Sequence, residues 1–189
     1  MARIAVFAAL VAVLGLTPAI SVPGFSVPIT AQSLGVMVAG LMLVPVEAFL
    51  SLALFVGLVA AGLPLLSGGR GGLTVFTGPS AGFILGFPFA ALATALIIGG
   101  LSRLPGTQSR WGETAACFSA AVLGGIVVLY CIGIPVGAAV ADIPLDTFFR
   151  ASMTFVPGDL LKAAAATLVA TAAFRAAPFL NPSVARARP

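Results

Sequence analysis

Histidine is absent from all 189 residues of the chain. Ser-His and Cys-His catalysis, imidazole metal ligands and imidazole proton relays are therefore excluded together. Charge is scarce as well: Asp, Glu, Lys and Arg make up 7% of the chain, against roughly 25% in a soluble domain. Five carboxylates and two cysteines lie scattered, with no metal-binding spacing. Cys117 and Cys131 fall in one predicted helix, about 21 Å apart along its axis. That is too far for a disulfide, so they read as small apolar packing residues. The net charge of +4 follows from basic ends and loops and calls for no nucleic-acid partner.

Apolar residues are abundant, at 60% of the chain, with a mean hydropathy of +1.20. This is the composition of an all-α integral membrane protein. The length suits one domain, residues 1–177, of six transmembrane helices needing roughly 20 residues each. A basic and flexible cytoplasmic tail is expected over 178–189. The predicted spans are 4–20, 32–44, 48–66, 79–101, 114–134 and 157–173. Residues 22–30, rich in Pro and Gly, read as a loop. Pro45 bounds the second span, and Pro88 is expected to kink the fourth. Trp111 suits a membrane-interface anchor.

The first span has Arg3 as a basic flank, like a signal peptide. However, five more apolar segments follow it, and it has no convincing cleavage region. Its alanines form two overlapping small-xxx-small pairs, Ala5 with Ala9 and Ala8 with Ala12. Such pairs let helices approach closely in lipid, within the chain or against a partner. With six spans, one side holds Arg3, Arg103, Arg110, Arg175, Arg186 and Arg188, and the other only Arg70 and Arg150. The positive-inside rule then makes both termini cytoplasmic.

The connection 67–82 carries six glycines in sixteen residues, which permits unusual backbone conformations and close approach to a ligand. Apolar Leu73, Val75 and Phe76 set it apart from a flexible Gly/Ser linker. Gly68-Gly-Arg-Gly-Gly72 lacks the Gly-Lys-Ser/Thr ending of a phosphate-binding loop. On the same outer side, the last span opens with Pro157-Gly-Asp-Leu-Leu-Lys162. Asp159 and Lys162 share one helical face in an otherwise apolar segment. Charges there are costly unless paired or turned to an interior cavity. Asp159 could simply favour the helix N-terminus and Lys162 snorkel to the interface. The functional alternative is a donor–acceptor pair in a mostly apolar pocket, lined by Phe83, Phe87 and Tyr130, with Arg70, Gln32 and Ser80 nearby. An enzyme is disfavoured, because intramembrane proteases need a histidine or a second buried Asp. A self-sufficient carrier is disfavoured by the small size and the lack of internal repeats.

Four stretches, in order, carry a resemblance. They are Val27-Pro-Ile-Thr-Ala-Gln-Ser-Leu-Gly-Val-Met-Val-Ala-Gly40, Gly68-Gly-Arg-Gly-Gly72, Thr77-Gly-Pro-Ser-Ala-Gly-Phe-Ile-Leu-Gly-Phe-Pro88 and Val156-Pro-Gly-Asp-Leu-Leu-Lys-Ala163. Together they resemble the BioY family, the substrate-capture (S) components of energy-coupling-factor (ECF) biotin transporters. The pattern departs mildly at Ser80, where the family more often has Thr. The resemblance implies a six-helix S-component bundle in the bacterial plasma membrane that binds biotin. Asp159 and Lys162 match its biotin-contacting acid and base. Gly69, Arg70, Gly71, Gly72, Pro79 and Ser80 belong to the covering loop. Ala5, Ala9 and Ala12 match the surface that meets the transmembrane coupling (T) subunit. ATP would be hydrolysed on two separate ATPase subunits, and this chain needs no cofactor. The same scaffold could take another small vitamin, or act without ECF partners.

Overall fold

The structure, a computed structural model, describes residues 1–17, 30–107, 109–177 and 181. It is helical throughout, with no strand among the described residues: α1 (Ala2–Gly15), α2 (Gln32–Met42), α3 (Pro45–Ala60), α4 (Ala81–Leu101), α5 (Arg110–Val122), α6 (Leu129–Ala141), α7 (Leu145–Met153) and α8 (Val156–Ala176). A π-helical segment, Leu123–Val128, joins α5 to α6 without a break, giving one rod of 32 residues. With α4 and α8, each of 21 residues, this rod is long and apolar enough to cross a membrane. The remaining apolar helices are shorter, at 14 residues for α1, 11 for α2 and 16 for α3.

The core forms around α2, in which nine of eleven residues are buried. A helix that is apolar all round has no solvent face to offer and must be enclosed. Two glycines allow the enclosure. A side chain at Gly35 would strike Val11 and Leu14 of α1, and one at Gly40 would strike Ala91 and Thr94 of α4. Outward-facing positions carry exposed apolar side chains, including Val6, Val13, Leu54, Leu96, Leu161 and Leu168. An apolar belt around an apolar core marks a membrane protein, since lipid is the solvent that such a surface fits.

Several boundaries differ from the sequence expectation. The first helix ends at Gly15, and residues 18–20 of the expected span lie outside the described residues, as do 22–29 of the expected loop. Pro45 does not close a helix. It opens α3 at the first turn, where a missing N–H is harmless. That helix stops at Ala60 rather than Leu66, because the chain turns at Gly62 with φ of +106°. The rod starts at Arg110, capped by Ser109, whose Oγ accepts from the Gly112 N–H at 3.0 Å. It runs through Pro135 and ends only where Asp142 turns left-handed at φ of 54°. The connection after it is not a plain loop but holds α7, an amphipathic helix that buries Phe148 and Ser152. Cys117 and Cys131 both lie on the rod as free thiols, the first buried and the second exposed. Of the expected tail, Asn181 is described, and its Nδ2 donates to Glu113 Oε1 at 2.8 Å.

The glycine-rich connection is structured. A 3-10 turn spans Leu73–Thr77 and buries Val75. Gly68, Gly69 and Gly72 take φ of 79°, 69° and 81°, a region costly for other residues. Gly71 lies so close to the Leu63 carbonyl that no side chain could fit. The loop is also fastened to α1, with Ser67 Oγ donating to Gly15 O at 3.3 Å and Thr17 O at 3.2 Å.

Candidate ligand-binding site

Four helices, α2, α4, α6 and α8, and the glycine-rich loop line a cavity of about 70 Å³. Asp159 sits in the first turn of α8, where the helix dipole favours a carboxylate. It is 6% exposed, and each of its oxygens is engaged. Tyr130, from α6, donates its hydroxyl to Oδ2 at 2.6 Å. Lys162 Nζ donates to Oδ1 at 2.9 Å, forming an i,i+3 ion pair. Ser33, from α2, donates to the same Oδ1 at 3.3 Å and accepts from Lys162 Nζ at 3.0 Å. A charge pair withdrawn from water survives when further hydrogen bonds satisfy its remaining capacity, and Ser33 and Tyr130 supply them here.

The other walls are mainly apolar: Leu66, Phe83, Ile84, Phe87, Leu129 and Phe155. Phe83 meets Tyr130 edge-to-face, with centroids 5.7 Å apart at 85°. Gln32, 2% exposed, anchors one end through Nε2, which donates to Val11 O at 3.3 Å and Leu65 O at 3.1 Å. Arg70 also lines the cavity. Its Nε donates to Ser67 O at 3.2 Å, and its Nη1 lies 3.5 Å from Ser80 Oγ. By the usual room per buried water, the cavity has space for roughly five.

Of the residues singled out from sequence, Asp159, Lys162, Arg70, Ser80, Phe83, Phe87, Gln32 and Tyr130 share this cavity. Gly69, Gly71 and Pro79 line a hollow beyond Arg70 and Ser80. Gly72 lines neither of these two, and its N–H donates to Val59 O at 2.8 Å. Ala5 and Ala9 are exposed on α1, while Ala12 packs against the core. Sequence reasoning missed Ser33, which bridges acid and base. The available signal was its place beside Gln32, a polar pair opening an otherwise apolar helix.

An apolar helical bundle packed around one satisfied polar cluster defines a membrane protein with a mostly apolar pocket that carries a single acid–base pair. The chain belongs to the BioY family, whose profile matches residues 1–179. It is 46% identical over 176 residues to the biotin transporter BioY of Rhizobium etli, covering 93% of each chain. It is 44% identical over 170 residues to the probable biotin transporter BioY of Bacillus subtilis, covering 90% of this chain and 87% of that one. Its structure resembles the crystal structure of the S-component for biotin from an ECF-type ABC transporter, with a TM-score of 0.84 and 28% identity. That match covers 92% of this chain and 89% of the other. The family expected from the four motifs is the family found.

Proposed function

We propose that this chain is the biotin-specific S component of an ECF transporter and takes up biotin across the membrane. The observation that carries this reading is the Asp159–Lys162–Ser33–Tyr130 cluster within an apolar cavity, in a chain similar along its length to biotin transporters. Biotin presents a ureido ring with two N–H donors and one carbonyl acceptor, fused to an apolar ring and a valerate tail. Asp159 accepts a ureido N–H. Lys162 swings from Ser33 and Asp159 to a ligand oxygen. Phe83, Phe87, Leu129 and Phe155 take the apolar ring, as ligand pockets usually do. Arg70 and Ser80, with Gly69, Gly71, Gly72 and Pro79 of the same loop, close over the tail, and Gln32 completes the wall.

In this reading α1, α2, α3, α4, the α5–α6 rod and α8 are the six transmembrane segments, and both termini face the cytoplasm. The exposed Ala5 and Ala9, with Ala12 beneath them, meet the T subunit, and two ATPase subunits supply the energy. The chain itself carries out no chemistry and binds no cofactor.

The test is uptake of labelled biotin by biotin-requiring cells that express the chain, with and without coupling and ATPase subunits. The expected result is uptake suppressed by unlabelled biotin and untouched by other vitamins. Uptake suppressed by a different vitamin would move the specificity, and no uptake in either setting would end the proposal.

A further inference from the structure

The carboxylate of Asp159 is reached from α7 by a continuous line of aromatic rings. Tyr130 donates to Asp159 at 2.6 Å. Its ring stands edge-to-face on Phe83 of α4, 5.7 Å away. Phe83 in turn stacks on Phe148 of α7, with centroids 6.5 Å apart at 21°. These are the offset and edge-on geometries that aromatic quadrupoles favour. Phe148 is fully buried, yet it is not among the residues lining the cavity.

Two glycines on α6 make room for the line. A Cβ on Gly133 would fall 2.5 Å from Phe83 Cδ1, and a Cβ on Gly137 would fall 2.7 Å from Phe148 Cζ. The two positions are about one helical turn apart, so the bare backbone of α6 cradles successive rings. Gly133-Ile-Pro-Val-Gly137 thus has the spacing of a helix-pairing motif, but its open positions are filled by phenyl groups of the same chain.

We propose that Phe148 is a positioning residue for the binding site. By fixing Phe83 it sets the orientation of Tyr130, and Tyr130 aims the Asp159 carboxylate. The outer helix α7 is then part of the recognition apparatus although it touches no ligand. Side chains in such a packed line hold one another in single rotamers, so loosening the outermost ring frees the next.

Tyr130 is the one tyrosine in the sequence, so tyrosine labelled with carbon-13 at Cζ alone gives a single resonance, from the carbon that bears this hydroxyl. The experiment records that resonance, and biotin affinity, for the parent, Phe148→Ala, Phe148→Leu and Phe49→Leu. Phe49 packs edge-on against Phe89 of the same α4 at 5.5 Å, so it controls for general loosening. The expected result is a shifted or broadened Tyr130 resonance in both Phe148 variants without ligand. Affinity falls about tenfold in Phe148→Ala and less in Phe148→Leu, while Phe49→Leu changes neither. Phe148→Leu carries the test if Phe148→Ala does not fold. An unchanged Tyr130 resonance in a folded Phe148 variant overturns the proposal, as does an equal shift in Phe49→Leu. The affinity arm rests on the biotin reading above, whereas the ligand-free resonance does not. If the parent binds no biotin but the resonance moves as expected, the relay stands and the ligand assignment falls.

Discussion

Neutralising both members of the Asp159–Lys162 pair should cost less than the sum of neutralising each alone. In Lys162→Met, the Asp159 carboxylate keeps Tyr130 and Ser33 as donors but loses its counter-charge. Breaking a fully buried ion pair costs about 3–5 kcal/mol. The side chains here are 18% and 8% exposed, and two hydrogen bonds remain, so about 2–3 kcal/mol is expected. In a chain of this length that lowers the melting temperature by roughly 4–12 °C. Asp159→Asn strands the ammonium with Ser33 as its described acceptor and should cost a similar amount. Asp159→Asn combined with Lys162→Met leaves no charge to compensate, so the double variant should be more stable than the sum of the single losses predicts. The coupling should be about 1–3 kcal/mol. Thermal unfolding of the four purified proteins in one detergent measures it. Strictly additive losses, or two near-neutral single variants, would show that the pair is not held in a low-dielectric site.

Other consequences follow from the same geometry. Ser33→Ala removes a donor to Asp159 and an acceptor for Lys162, and should weaken biotin binding roughly three- to tenfold, about the worth of one net hydrogen bond; calorimetric titration measures it. Gly71→Ala drives a methyl into the Leu63 carbonyl, and should lower affinity while leaving helix content by circular dichroism unchanged. Gly72→Ala, at φ of 81°, should cost about 1–2 kcal/mol, and thermal unfolding records it. A lipophilic maleimide should label exposed Cys131 in the folded protein and reach buried Cys117 only on unfolding. Mass spectrometry of the labelled chain separates the two.

Asp159 and Lys162 were legible in the sequence because charge in an apolar helix demands an explanation. The glycine-rich loop was legible because glycine there trades stability for conformations that other residues avoid, and Gly72 shows one. Ser33 was passed over although it stands beside Gln32, because a hydroxyl in an apolar helix usually bonds its own backbone, and its partners lie 126 and 129 positions away. Helix α7 was hidden for another reason: its nine residues bury little besides Phe148 and Ser152, too short a stripe to stand out between Pro144 and Pro157. The end of α3 was misplaced because Leu63, Leu65 and Leu66 continue the apolar run after the chain has turned at Gly62. Periodicity locates apolar faces, whereas a single left-handed residue decides where a helix stops.

The central claim is that biotin is held by the acid and base of α8. The most direct measurement is equilibrium binding of labelled biotin to the purified, detergent-solubilised chain, beside Asp159→Asn and Lys162→Ala. The account predicts tight binding by the parent and a loss of roughly tenfold or more in each variant, about 1.4 kcal/mol. Binding of equal strength in all three proteins would keep biotin and contradict the site. A well-folded parent that binds none would contradict the ligand itself.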